Sequence, residues 1–125
     1  MMLYTGITVE QDWQEIADKM TSEIRRGALV LSVLGQLRTE HYGYSLRKTL
    51  AEQGLDVEEG TLYPLIRRLE KQGLLVSEWR HEGSRKKRFY SLSALGSQVY
   101  DNLLGQWNTL STSIERITGA QGESQ

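Results

Sequence analysis

The sequence contains no cysteine and a single proline, and no unbroken apolar run, the stretch at residues 28–31 included, exceeds four residues. Without cysteine there is no disulfide framework, no thiolate metal site and no thiol nucleophile. Apolar runs this short fall far below the roughly 18 residues that a membrane span needs. The beginning of the chain lacks a basic segment ahead of an apolar one and runs into acidic sequence, so no signal peptide is expected. Histidine occurs twice, at His41 and His81, too far apart in sequence to suggest a metal pair, and no HExxH, phosphate-cradling glycine loop or Walker motif is present. The carboxylate pair Glu58-Glu59 stands at a helix start, where the macrodipole accounts for it without catalysis. These absences point away from an enzyme and from any metal or cofactor, and toward a cytoplasmic protein that does not enter membranes.

What is present is unevenly distributed. The net charge of -1 conceals a segregation: residues 1–24 carry five acids against one lysine, whereas residues 59–90 carry eight cations against four acids. Positive charge gathered in one segment is the electrostatic footprint of a phosphate-binding face, and a near-neutral total does not contradict it. At 125 residues the chain is of ordinary single-domain size, able to bury a modest core and served by a partner subunit.

The basic segment has internal order. In Glu59-Gly60-Thr61-Leu62-Tyr63-Pro64-Leu65-Ile66-Arg67-Arg68-Leu69-Glu70-Lys71-Gln72-Gly73-Leu74, the residues Leu62, Leu65, Ile66 and Leu69 fall at i, i+3, i+4 and i+7 and form one apolar helical face. Tyr63, Arg67, Arg68 and Lys71 lie off that face. Thr61 is expected as the N-cap, which places Pro64 in the first turn, and Gly73 as the C-terminal stop. Residues 76–80 and 86–92 then read as two short strands about a polar loop, with Arg85, Lys86, Lys87 and Arg88 at its far side. A helix followed by a basic hairpin is the order of a winged helix-turn-helix, whose helix enters the DNA major groove while the hairpin lies along the backbone. The bland reading of residues 85–88 is a solubilising loop tip. Trp79 is expected to pack under the hairpin.

Upstream, an apolar stripe of Val9, Trp13, Ile16, Met20 and Ile24 marks an acidic helix over about 9–23. Residues 22–37 are apolar on nearly all sides and should be central to the core; whether the two helices are continuous is left open by the pattern. A further helix, about 44–53, buries Leu46 and Leu50, stops at Gly54, and carries Arg47 and Lys48 off its apolar side, where they are candidates for phosphate contact or simple solvation. Downstream, Leu103, Trp107, Leu110, Ile114 and Ile117 step by 4, 3, 4 and 3, a heptad-like seam preceded by Leu95 and Val99 and closed by Gly119. Such a seam needs a partner helix, either the chain's own N-terminal helix or a second subunit. Residues 120–125 are expected to be a disordered tail.

Gly43-Tyr44 with Leu46, the run from Val57 through Glu70 containing Gly60-Thr61-Leu62-Tyr63-Pro64, Gly73-Leu74, and Arg88-Phe89-Tyr90 with Leu92 and Gly96 together resemble the PadR family of bacterial transcriptional regulators over residues 27 to about 97. The resemblance implies a mainly α fold with a small β-hairpin: a winged helix-turn-helix domain with an N-terminal helical extension over 1–92 and a dimerisation helix over 93–119. It implies a homodimeric repressor on a palindromic operator in double-stranded DNA, with residues matching Tyr44, Thr61, Tyr63, Arg67 and the wing cations in contact with DNA. Arg68, Lys71 and Lys48 are added here as phosphate contacts. In short, multidrug-responsive relatives a Trp on the last helix sandwiches planar aromatic compounds across the two-fold axis. Trp107 stands at a similar place, so it is a candidate effector shelf as well as an interface anchor, and Trp13 could line the same space. The chain departs from the family pattern at Ser91, Ser93 and Ala94, where a basic residue, Thr and Glu are usual; Ser93 keeps an N-cap while the favourable first-turn acid is lost. The competing reading from another class is a winged helix used as a protein-interaction module, which a hydrophobic or acidic exposed helix face would favour over the Tyr, Arg, Arg and Lys found here.

Overall fold

The computed structural model describes residues 9–119, with side chains from residue 12 onward. The expectations for the chain start and for the 120–125 tail fall outside these residues. The elements are α1 (Val9–Gln36), β1 (His41–Tyr42), α2 (Gly43–Glu52), α3 (Glu59–Lys71), β2 (Leu75–Glu82), β3 (Arg85–Leu92) and α4 (Ala94–Thr118). The mainly helical fold with a small sheet read from the sequence is the one that forms. Among the described residues, no helix is long and apolar enough to cross a membrane, and no group of acidic or histidine side chains could hold a metal ion.

The chain forms two compact units, residues 1–30 and 31–125. The first is described as the opening part of α1, on which Trp13, Ile16, Met20 and Ile24 are between 53% and 69% exposed. The 9–23 and 22–37 patterns are one helix, since no glycine-plus-cap signal or proline interrupts the residues between them. The second unit holds the core. Val33 and Leu34 from the end of α1 and Leu37 just after it are fully buried, and Leu46, Leu50, Val57, Leu75 and the α3 face of Leu62, Leu65, Ile66 and Leu69 are each less than 10% exposed. Burying a side chain of this size stabilises by roughly 1.5–3 kcal/mol, so this layer outweighs any surface term.

Local chemistry sets the element ends. The Gly73 N–H bonds the Glu70 carbonyl at 2.9 Å and the Leu74 N–H the Leu69 carbonyl at 3.0 Å, a Schellman closure in which Gly73 takes φ +87° without the cost a Cβ would add. At the other end the expectation fails: α3 begins at Glu59 after an N-cap at Glu58, and Thr61 lies within the first turn. The Glu58 carbonyl accepts the N–H groups of both Thr61 and Leu62, at 3.0 and 2.9 Å. Val57 and Leu62 are both buried, and winding the helix directly after Val57 places both in the core. Pro64 therefore sits inside α3, past the first turn, and the Gly60 carbonyl lacks the N–H that would otherwise meet it four residues on.

The sheet has one strand more than the hairpin expected, in the order β1-β3-β2, all antiparallel. Two-residue β1 carries too little pattern to be legible, and it exists because His41 and Tyr42 pair with Tyr90 and Phe89 of β3. The hairpin is also longer than read, Leu75–Glu82 with Arg85–Leu92, and turns through Gly83 at φ +66°. A two-residue turn whose first position alone has positive φ matches the twist of the strands it joins. Ser93 caps α4 as expected, its hydroxyl accepting the Gly96 N–H at 2.9 Å, and Gly119 ends that helix at φ +77°.

Candidate nucleic-acid interface

The exposed side of α3 is the starting point. With its apolar face spent on the core, the helix leaves Thr61, Arg67, Arg68 and Lys71 exposed, as the spacing requires. Tyr63 is half-buried, and its ring lies against the first turn of α2: a Cβ on Gly43 would stand 3.0 Å from Tyr63 Cε1. This close approach gives Gly43 a reason to be glycine. Burial, then the nearby Glu59 carboxylate, raises the Tyr63 hydroxyl above its ordinary pKa, so it remains a neutral donor and acceptor at physiological pH. Arg47 and Lys48, adjacent on α2, part ways. Arg47 donates from Nε to the Val57 carbonyl at 3.0 Å and pairs with Glu59 at 3.4 Å, which ties α2 to the start of α3. Lys48 is exposed.

The wing is bound to α3 by a polar clamp that the sequence did not announce. Arg88 donates from Nε to the Ser77 hydroxyl at 2.9 Å and from Nη2 to both Glu70 oxygens at 3.2 and 3.0 Å, while the Ser77 hydroxyl donates to Glu70 Oε2. Strand β2, strand β3 and helix α3 thus meet on one carboxylate. On the other wing face Arg80 forks onto the Glu40 carboxylate, with Nη1 2.7 Å from Oε1, and also bonds Glu78 at 2.7 Å. The hydrogen bonds to Glu40 and Glu78 hold its guanidinium further above its ordinary range. Lys87 bonds Glu82 at 2.9 Å and lies 4.1 Å from the centroid of the Tyr42 ring. Its pKa is raised first by Glu82 and then by Tyr42.

These pairings sort the cations. Glu40 ahead of β1, Glu78 and Glu82 of the wing and Glu70 near the end of α3 engage Arg80, Lys87 and Arg88. Among the described residues, Lys48, Arg67, Arg68, Lys71, Arg85 and Lys86 make no ion pair. Because exposed ion pairs contribute little stability, the engaged cations serve geometry and the remaining ones keep their charge available to an outside anion.

Between α3 and the wing lies a groove of roughly 310 Å³ lined chiefly by Tyr42, Tyr44, Tyr63, Arg67, Trp79 and Tyr90, with Lys87 and Arg88 at its side. Of the residues expected at the interface, Tyr44, Tyr63, Arg67, Lys87 and Arg88 converge here. Arg67, Arg68, Lys71 and Arg88 also border a second concavity around Glu70. The sequence reading missed Tyr42, Tyr90 and Trp79. Trp79 does not pack under the hairpin: it is 56% exposed and stands on the groove side. The missed signal was the period-two alternation that sets Trp79 on the same strand face as Ser77, opposite Arg88. The effector candidates lie elsewhere: Trp107 on α4 is 40% exposed and Trp13 on α1 is 54% exposed.

Comparison with known proteins agrees with this geometry. A transcriptional regulator of Mycobacterium tuberculosis is 40% identical over 75 residues, which span 59% of this chain and 70% of that protein. The crystal structure of a PadR family transcriptional regulator from Eggerthella lenta superposes with a TM-score of 0.77 at 42% identity, covering 86% of this chain and 96% of that one. A Streptococcus transcriptional regulator superposes with a TM-score of 0.70 at 33% identity, covering 76% of this chain and 96% of its own. Residues 30–102, from the end of α1 through the wing to the first turns of α4, match the family described as transcriptional regulator PadR-like. The chain belongs to the PadR-like family of transcriptional regulators, a DNA-binding regulator and not an enzyme.

Proposed function

We propose that the protein is a homodimeric repressor that occupies a palindromic operator and blocks its promoter, with release by a small planar aromatic effector. The observation that carries this reading is the exposed, ion-pair-free row Arg67, Arg68 and Lys71 on α3, next to a wing whose Arg85 and Lys86 are likewise exposed. In this reading Thr61, Tyr63 and Arg67 face base edges in the major groove, while Tyr44, Lys48, Arg68, Lys71 and the wing from Arg85 to Arg88 hold phosphates. Arg88 and Lys87 do so while clamped, so their contribution is to fix the wing's angle to the duplex as much as to add charge.

Dimerisation is supported by α4, the proposed 93–119 dimerisation helix. Trp107, Leu110, Ile114 and Ile117 are between 40% and 82% exposed, an apolar seam at coiled-coil spacing. Leu103 is partly covered at its start. A two-fold partner would cover the seam and present two recognition helices to half-sites roughly 34–36 Å apart. Trp107, accessible in the single chain, would then line the space between subunits as an effector shelf.

Selection of duplexes from a randomised pool, followed by footprinting on the winning sequence, tests the core of this reading. Two protected half-sites one helical turn apart are expected; retention of all duplexes alike would overturn sequence-specific regulation. On the selected duplex, Arg67→Ala should relax base choice at a cost of roughly 1–3 kcal/mol. Arg85→Ala with Lys86→Ala should instead flatten the slope of log affinity against log salt, by roughly 0.9 for each phosphate that is no longer neutralised. Planar aromatic dyes should quench Trp fluorescence and release the duplex, and Trp107→Ala should remove both effects.

A further inference from the structure

Alternation along β2 places Leu75, Ser77 and Trp79 on one face of the wing, paired across the ladder with Leu92, Tyr90 and Arg88. The three leave the core in order. Leu75 is 3% exposed, Ser77 is half-buried with its hydroxyl on Glu70 of α3, and Trp79 is 56% exposed. The cover that α3 gives this face ends at Ser77, so the indole is the first side chain along it that the chain's own fold leaves open.

What the indole faces is polar and cationic. It lines the groove with Tyr44, Tyr63 and Arg67, and the Lys86 Nζ and Arg88 Cζ each lie 5.6 Å from a Trp79 ring centroid. Among the described residues its N–H has no hydrogen-bond partner. A flat apolar ring with one donor at its edge, flanked by cations, matches the alternation of apolar deoxyribose and anionic phosphate along a DNA strand better than it matches any single base edge. The flanking charges draw phosphates to this spot, and the ring offers the sugar between them a surface.

We infer that Trp79 is a DNA-contacting residue, its indole packed on a deoxyribose of the strand passing between α3 and the wing and its N–H turned to a neighbouring phosphate oxygen. This deepens the DNA-binding reading above and rests on it. The contact adds apolar burial at the wing without adding charge. It also gives the wing a fixed depth on the duplex, since the ring can approach the sugar only to van der Waals distance.

A neutral contact has its own signature. On a duplex selected by the wild-type protein, Trp79→Ala should bind about tenfold more weakly, the share of burial expected of a half-exposed aromatic, with an unchanged salt slope because counterion release stays the same. Trp79→Phe, which keeps a ring but not the N–H, should fall between. If the indole only holds Lys86 and Arg88 in place, the Ala variant would instead lower the slope by roughly 0.9 per cation displaced, and that result overturns the contact. A readout that does not depend on the affinity of any variant is the fluorine NMR spectrum of wild-type protein carrying 5-fluorotryptophan. Its three Trp signals are told apart by loss of one in Trp79→Phe, and the Trp79 signal should move on adding the duplex. A stationary Trp79 signal with the duplex bound refutes the inference alone; a wild type that selects no duplex refutes the regulator reading and this contact with it.

Discussion

Helix α3 and the second half of α4 carry apolar residues at closely similar spacing and meet opposite fates. On α3, Leu62, Leu65, Ile66 and Leu69 are 0–7% exposed, on a helix packed against β2 and α2; on α4, Trp107, Leu110, Ile114 and Ile117 are 40–82% exposed. Periodicity marks an apolar face, but it does not say whether the chain's own core covers it. The first turns of α4 show the transition within one helix. Gly96 and Tyr100 are buried, and a Cβ on Gly35 of α1 would stand 3.1 Å from Tyr100 Cε1, while beyond Tyr100 the helix runs out from its own unit's core with its seam open. One face completes the fold and the other stays open in the single chain.

The same substitution in the two places breaks the comparison most sharply. Leu62→Asp puts an unpaired carboxylate at a site with no exposure, a cost of several kcal/mol that exceeds what a domain of this size can absorb. Circular dichroism should show an unfolded chain at every protein concentration. In the dimer proposed above, Leu110→Asp should leave helix content intact while sedimentation shows a monomer and DNA affinity falls, because the stabilisation it would remove is that of association alone. A Leu110→Asp protein that sediments as a dimer would mean that another surface joins the subunits.

A smaller effect sharpens the anchored end of α4. A Cβ on Gly96 would lie 2.0 Å from the Leu74 carbonyl oxygen, backbone that cannot turn aside. Gly96→Ala should therefore force the helix start away from Leu74 and cost about 1–3 kcal/mol, seen as a lower Tm. A Tm equal to wild type would show that the helix start can shift without loss.

The smallest effect concerns the junction beside β1. Burial holds the His41 imidazole below its ordinary pKa of 6.5, with Nδ1 2.9 Å from the Ser45 hydroxyl and Nε2 3.3 Å from Gln36 Nε2. The fold favours the neutral ring, so the unfolded chain takes up this proton first as pH falls. The contribution is full above 6.5 and is lost progressively below it. Tm should drop between about pH 7 and pH 5 and drop less in His41→Gln; equal slopes in the two proteins would assign the pH dependence to other groups.

Much of this was written in local pattern. The faces of α2 and α3, the stops at Gly54 and Gly73, the Ser93 cap and the Gly119 end could be read because each depends on residues within a turn or two of one another. The cationic exposure of Arg67, Arg68 and Lys71 followed from the same geometry, since a helix that buries one face exposes the other. The start of α3 was misread because Thr61 has the chemistry of a cap, and local preference gave way to the joint burial of Val57 and Leu62.

The sequence by itself determined the four helices and the hairpin, the apolar faces of α2 and α3, and that positive charge collects on one helix and one hairpin, because these depend on neighbours a few positions apart; strand β1 and the start of α3 were decided by contacts between elements. Only the tertiary structure decided how that charge is used. Glu70, Ser77 and Arg88 lie up to 18 residues apart and become a clamp once the wing folds back on α3; Glu40 claims Arg80 from a distance of 40 residues. Which cations remain without an ion pair, and whether Trp79 points into a core or onto a groove, depend on contacts between elements. Side-chain chemistry alone carries no record of the distances that folding sets.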